Sequence, residues 1–366
     1  MERKLIDMEE EKIKSVQEKC ASCGGNLAFD PKSQDLTCKN CGAHYPIENT
    51  NAFEYHDLLG YLSNKEQDSQ KYKEYVEKNK VFKCPNCGAN VVLNKFEISK
   101  VCPYCATPLV LEEGTIQGLC PDTIIPFAFD EEEASAKFAN AVKKRFWAPR
   151  KFKKQLPANE ITGIYIPSFG FDVSSKSSYE GKLYRNETYY DQDGRSHTER
   201  SYFHISGGLN KDYKNIMVEC SSHINQAELN GFIPYEYEKK QAFTNSFILG
   251  YSVEQYDKEI QNCLDIYRTE LNNRIKSDIL SKYHYDGVSY LNIKTERSHE
   301  KFLYQILPVY RFEYDYKKKK YITYMNGQTG KVDSHTPKSA VKIAIATILG
   351  ILALVGIVLL SVLLGS

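Results

Sequence analysis

Residues 20–41 read CASCGGNLAFDPKSQDLTCKNC, and residues 84–105 read CPNCGANVVLNKFEISKVCPYC. Both follow C-x2-C-x14-C-x2-C, so one chain carries the same four-cysteine device twice: Cys20, Cys23, Cys38 and Cys41, then Cys84, Cys87, Cys102 and Cys105. Two residues between thiolates let one tight turn offer both sulfurs to a single ion, with backbone amides turned toward them. Two such knuckles at the ends of a hairpin close a tetrahedron. Glycine directly after Cys23, Cys41 and Cys87 supplies the turn's backbone freedom. The spacing predicts two small zinc ribbons, at 20–45 and 81–112, each with one structural Zn2+ and no coordination position open to a substrate. Iron on the same sulfurs is the competing ion. Modules this small hold little core, so metal binding, about 10–16 kcal/mol per structural zinc site, supplies their folding energy. His44 follows Cys41 closely and reads as a surface hairpin residue, four cysteines being already at hand.

Eight of the eleven cysteines fall in these pairs. A disulfide framework suits short secreted chains, whereas the first residues, MERKLIDMEEEKIKSVQEK, contain no apolar run of a signal peptide. Reduced, metal-bound thiols in the cytosol are expected, with Cys120, Cys220 and Cys263 as small buried hydrophobes. Residues 1–120 carry a net charge of roughly −3, and two four-thiolate zinc sites bring that to about −7. Residues 121–366 carry about +4. An acidic front half weighs against a phosphate-gripping role for the ribbons.

At the other end, KIAIATILGILALVGIVLLSVLLGS begins at Lys342 and is uncharged from Ile343 onward. As a helix its roughly 24 residues reach about 36 Å, enough to cross a ~30 Å hydrocarbon core with some tilt. An apolar surface all round has no use in a water-soluble helix. Lys338 and Lys342 flank its N-terminal side, so the positive-inside rule predicts a single-pass tail anchor (343–366) in the cell membrane, with the bulk of the chain in the cytoplasm.

Between the ribbons and the anchor the reading is α+β. Residues 1–19 are expected to form a charged helix. Residues 46–80 are read as a helical linker broken near Gly60 and Asn64, and 116–335 as an antiparallel sheet with helices. Twenty-seven tyrosines and seventeen phenylalanines suit half-buried β surface. An internal duplication is suggested by IPFAFDEEEA at Ile125 against IPYEYEKKQA at Ile233, and IPSFGFDV at Ile166 against LPVYRFEY at Leu307. Phe169, Phe171 and Val173, like Tyr310, Phe312 and Tyr314, alternate with period two and so share one sheet face. Helices are predicted over 131–147 and about 253–282. Turns are predicted at DQDG (191–194) and MNGQTG (325–330).

No stretch satisfies GxxxxGK[ST]: GQTGKV at Gly327 lacks the first glycine and the final hydroxyl residue, which excludes a P-loop motor. There is no HExxH or GxSxG, and DQDG fails the calcium-loop register, so the expectation is a protein that is not an enzyme. One charged segment remains, KKRFWAPRKFKK (143–154), with no acidic residue. Lys143, Lys144, Arg145, Arg150, Lys151, Lys153 and Lys154 form a candidate contact for an anionic surface, lipid or nucleic acid. The structural alternative is a solvated helix end with Phe146, Trp147 and Phe152 packed inward.

Two ribbons, GIYIPSFGFD, YEG at Tyr179, LPVYRFEY, YMNGQTGKV and an apolar tail together resemble the TFIIB-type zinc-ribbon membrane proteins, found mainly in Gram-positive bacteria. The resemblance covers essentially the whole chain. It implies partners among SPFH-domain (virion-core-like) and phage-shock-A-like proteins that are placed at the membrane. The expected function is a tail-anchored adaptor that recruits soluble proteins in envelope maintenance or stress. The alternative is a membrane-tethered nucleic-acid-binding zinc-ribbon protein.

Overall fold

The computed structural model describes residues 15–16, 18–48, 52–64, 80–84, 90–93, 97–102, 107–111, 119–154, 161–221, 224–317, 319–333 and 336–364. The architecture is α+β. Its first part is built of short strands: β1 (Ser15–Val16), β2 (Leu27–Asp30), β3 (Asp35–Cys38), β4 (His44–Tyr45) and β5 (His56–Asp57), followed by helix α1 (Leu58–Asn64). Strands β6 (Lys80–Lys83), β7 (Asn90–Leu93), β8 (Glu97–Val101), β9 (Pro108–Leu111) and β10 (Thr123–Ile124) lead to helices α2 (Glu131–Lys144) and α3 (Arg150–Lys154). The remainder holds β11 (Ile161–Tyr190), β12 (Ser196–Glu219), α4 (Gln226–Phe232), β13 (Gln241–Ala242), β14 (Ser252–Glu254), α5 (Ile260–Leu280), β15 (Gly287–Tyr316), β16 (Lys319–Asn326) and α6 (Ala340–Leu364).

Three very long strands dominate. β11 pairs antiparallel with β15 from Ile161–Phe312 to Tyr184–Gly287, and with β12 from Ser168–Glu219 to Tyr190–Ser196. Thirty residues of strand have a contour of roughly 100 Å, so part of this ribbon projects beyond the body. Along its outer part only alternate residues are buried (Val173, Ser175, Ser177, Tyr179), the pattern of a sheet with one face in solvent. Around residues 165–171 every side chain is buried, because helices cover both faces there.

The duplication is present, with a different alignment of its front. β10 runs parallel to β15 (Thr123–Gln305, Ile124–Ile306), and β14 runs parallel to β11 (Ser252–Ile164, Val253–Tyr165). Ile166 faces Leu307 between them, and an approximate two-fold through that pair exchanges the two registers. Each half thus lends its short strand to the long strand of the other. The helices cross over in the same way. Phe138 of α2 stacks on Phe312 at 4.0 Å, and Tyr267 of α5 stacks on Phe171 at 4.4 Å. Phe127 on Tyr310 and Tyr256 on Phe169 make a second matched pair. The mate of the Ile125 segment is therefore the strand leading into α5. The IPYEY segment at Ile233 packs with α4 on the opposite face, where the Tyr235 hydroxyl donates to the Pro308 carbonyl.

Local signals account for most boundaries. The side chain of Asp130 caps α2 by accepting from the Glu133 N–H at 2.9 Å. The helix ends at Lys144, short of the expected residue 147, because the chain turns there to bury Ala148 and Phe152. α5 starts at Ile260, later than expected, since Val253 is a strand residue. The helical spacing of buried Ile260, Cys263, Tyr267, Leu271, Ile275 and Ile279 begins only there. Gly60 does not break the linker helix: it sits in the first turn of α1, where its N–H donates to the Asp57 carboxylate. The charged N-terminal helix does not extend to residue 19, because Ser15–Val16 is a strand on the β9 edge; residues 1–14, like 65–79, lie outside the described residues. Both predicted turns form, with Gly194 and Gly330 at positive φ.

Candidate metal centre and the patch at the base of helix α6

In the first module two turns of the same geometry face each other. The Cys20 N–H donates to the Gly25 carbonyl and the Gly24 N–H to the Cys20 carbonyl, both at 2.8 Å. The Cys38 N–H donates to the Ala43 carbonyl at 2.9 Å, and the Gly42 N–H to the Cys38 carbonyl at 2.8 Å. Gly24 and Gly42, one after each second cysteine, take φ of +70° and +74°, which is why glycine stands there. The β2–β3 ladder ends on the Leu27–Cys38 pair and so sets the turns side by side.

All four sulfurs lie within 4.8 Å of one another, with Cys20–Cys41 and Cys23–Cys38 both at 3.5 Å. Zinc–sulfur bonds of ~2.3 Å in a tetrahedron imply sulfur–sulfur edges of about 3.8 Å, so the donor set fits a Zn2+ ion. The Tyr45 hydroxyl, 3.3 Å from the Cys20 sulfur, is the main reason the Cys20 thiol falls to about 6. The Cys41 and Asn40 N–H groups lower Cys38 despite its burial. Cys23 receives the Gly25 N–H, yet the Cys41 and Cys38 sulfurs push it up to about 12; Cys41 rises also, chiefly against Cys20. Four sulfurs this close cannot all ionise without a cation between them. His44 is not part of the set: its Nδ1 lies 3.0 Å from the Asp35 carboxylate and 3.1 Å from the Thr37 hydroxyl, on the exposed side of the hairpin.

The module is clamped to the body. Leu27, Phe29 and Leu36 are buried in the main core, and the Phe29 ring meets Phe247 edge-on at 5.5 Å. The Phe29 N–H donates to the Leu249 carbonyl, the Gln34 side chain to the Phe127 carbonyl, and Lys32 pairs with Asp130. Asn26 donates to the Thr107 hydroxyl in the second module at 3.1 Å.

Of the second set, Cys84 and Cys102 are buried together against Leu109, while Cys87 and Cys105 lie outside the described residues. The Cys102 N–H donates to the Thr107 carbonyl at 2.9 Å, repeating the five-residue step at Cys20 and Cys38. This module is also stitched into the body, since β8 pairs with β14 and β9 carries β1.

The basic segment divides. Lys143, Lys144, Arg150 and Lys151 are exposed, Lys153 is half-buried and donates to the Lys143 carbonyl, and Lys154 closes α3. Arg145 turns inward, donating to the Thr336 hydroxyl and to the Val332 and Asp333 carbonyls, so it ties down the segment before α6 and does not belong to the surface patch. Phe152 packs on Tyr314 and Tyr316, as the inward reading expected. Phe146 and Trp147 do not pack inward; they are 69% and 42% exposed.

Sequence reading missed what these two residues touch. The Ser339 N–H donates to the Trp147 carbonyl at 2.8 Å, and the Lys342 ammonium donates to the Phe146 and Ala148 carbonyls at 2.6 and 3.1 Å. The base of α6 is thereby fixed to the body. Helix residues 340–361 have a mean hydropathy of 3.0 and none of them is buried, so α6 is long and apolar enough to cross a membrane. The lone tryptophan beside a run of lysines was the signal available beforehand.

Comparison with known proteins adds one family and one relative. Residues 19–49 match the Trm112p-like protein family, whose span includes Cys20, Cys23, Cys38 and Cys41. The first module is thus a zinc-binding ribbon-like unit with one four-cysteine cluster. The chain is 28% identical over 332 residues to uncharacterized protein YdjG of Bacillus subtilis (strain 168), covering 90% of this chain and 92% of that protein. No solved structure matches it.

Proposed function

We propose that the protein is a zinc-ribbon adaptor held at the cell membrane by α6, with its bulk in the cytoplasm, that presents one rigid surface for recruiting soluble proteins. The observation that carries this reading is the mutual clamping of its parts. α6 is hydrogen-bonded to the body at Ser339 and Lys342, and the metal module is buried in the core of that same body. A closed four-thiolate centre shapes a surface and leaves no coordination site for substrate chemistry. A second Zn2+ on Cys84, Cys87, Cys102 and Cys105 belongs to the proposal, supported by the repeated turn at Cys102 and the burial of Cys84 beside it. Lys338 and Lys342 on the N-terminal side of the apolar run support the cytoplasmic orientation. The family resemblance makes SPFH-domain and phage-shock-A-like proteins the partners to seek.

The test is purification of the full chain with its native partners in mild detergent, with and without nuclease, beside a Cys84→Ser/Cys87→Ser variant and a metal count. Membrane-associated proteins that persist through nuclease and vanish with the variant support the adaptor. Nuclease-sensitive nucleoprotein would replace it with the nucleic-acid reading. Two zinc ions per chain, falling to one in the variant, support the second site, and one ion in both refutes it.

A further inference from the structure

We propose that Phe146, Trp147 and the exposed cations around them form a collar that lies in the headgroup layer of an anionic lipid surface. This deepens the proposed function and rests on α6 crossing a membrane. Three independent observations converge on one place. First, two large aromatic rings stand in solvent side by side, edge to face at 5.1 Å, while Ala148 in the same loop and Phe152 in the helix α3 that follows are buried. The loop is firmly seated, and it holds the two rings outward.

Second, the height is right. The Trp147 carbonyl accepts from the Ser339 N–H, four residues before the uncharged run begins at Ile343. Four residues of helix rise about 6 Å, so Trp147 sits just outside the hydrocarbon boundary, the depth that tryptophan favours. Lys342 reinforces this from the helix side, its ammonium 5.2 Å over the Phe146 ring while donating to two loop carbonyls. Third, Lys143, Lys144, Arg150 and Lys151 are exposed around the rings, and no acidic residue interrupts 143–154. Cations beside inserted aromatics select an anionic leaflet. Nucleic acid shares the charge requirement, but it gives no reason for the rings to sit level with the start of an apolar helix.

Trp147 is the only tryptophan in the chain, so its emission reports on this loop alone. The full-length protein is reconstituted into phosphatidylcholine vesicles with or without one third phosphatidylglycerol, doped with lipids brominated either near the headgroup or deep in the acyl chain. Resistance to alkaline extraction is scored in parallel. The proposal expects extraction-resistant protein with blue-shifted emission and quenching at least twofold stronger by the shallow bromines. Phosphatidylglycerol should increase that quenching. A Lys143→Gln/Lys144→Gln/Arg150→Gln/Lys151→Gln variant should still integrate but lose the response to phosphatidylglycerol.

Extraction-resistant protein whose Trp147 escapes bromine quenching and stays open to acrylamide overturns the collar alone. So does Trp147 emission that responds to an oligonucleotide and not to lipid. Protein that the alkaline wash removes overturns the membrane-spanning reading and the collar with it.

Discussion

Removing one zinc ligand from the first module should loosen a defined part of the body as well as the module. In Cys38→Ser the set loses a buried sulfur, and with it most of the roughly 10–16 kcal/mol that a structural zinc site contributes. Burial of Leu27, Phe29 and Leu36 in the main core offers about 1.5–3 kcal/mol each, too little to hold the hairpin folded alone. Once the hairpin opens, the Asn245–Ile248 turn loses the Phe29 ring that packs on Phe247, and the Leu249 carbonyl loses the Phe29 N–H. Phe29 alone corresponds to about 2–3 kcal/mol, so amide protection over 245–251 should fall roughly 30- to 150-fold. Hydrogen exchange by mass spectrometry on the detergent-solubilised full chain, wild type against variant, measures this. Residues 27–38 should exchange as an open chain, 245–251 should accelerate by that factor, and the β11–β15 ladder around Ile166–Leu307 should not change. If 27–38 opens while 245–251 keeps its protection, the module is a separate bead on the chain and the clamping argument is wrong.

Other perturbations test the packing and the partly buried charges. Phe138→Ala and Tyr267→Ala, two-fold mates each stacked on a strand phenylalanine, should each cost about 3–5 kcal/mol in denaturant unfolding, and Tyr267→Phe only about 1 kcal/mol for its hydroxyl bond to Glu300. The Asp122 carboxylate, 2.9 Å from His56 Nε2, raises that imidazole above its usual value. The protonated pair therefore contributes fully below about pH 6.5 and is lost as pH rises through the higher folded-state value. Exchange over 56–62 should accelerate across that window, and His56→Gln should remove the pH dependence. Burial pushes the Glu219 carboxyl up against the pull of Lys258, so Lys258→Met should cost about 3 kcal/mol near neutral pH. A raised carboxyl favours the fold at low pH, so this loss should shrink on acidification as Glu219 takes up a proton; a loss independent of pH would show that packing, not charge, is what Lys258 supplies.

The features legible beforehand are those a short window specifies. A C-x2-C turn needs only its own glycine and amides, and Cys20–Cys41 close on each other through one hairpin. The apolar tail is recognised by composition, and the turn at 191–194 by its Asp and Gly residues. Helix α2 was readable from Asp130 and its acidic first turn, but its end was not, because Phe152 packs on Tyr314 and Tyr316, far along the chain. The second repeat was recognised through LPVYRFEY and misaligned at its front. A proline-aromatic pair recurs by chance, whereas the true mate, Ser252–Val253, is marked by its parallel register on β11 and by the Tyr256 ring that follows it onto Phe169.

Sequence alone determined the four-cysteine set of the first module, a terminal helix long and apolar enough to cross a membrane, and the α+β class, because each is written in a short motif or in the composition and periodicity of a single element. Only the tertiary structure decided the exchange of strands and helices between the halves, the packing of the first cysteine module's separate sheet on the main core, and the pairing of β8 and β9 of the second module into the main sheet. It also decided that Arg145 points inward while Phe146 and Trp147 point out. In KKRFWAPRKFKK three aromatics and seven cations look interchangeable. Which of them is buried depends on the partner surface that arrives, and here that surface is supplied by Tyr314, Tyr316, Val332, Asp333, Thr336, Ser339 and Lys342.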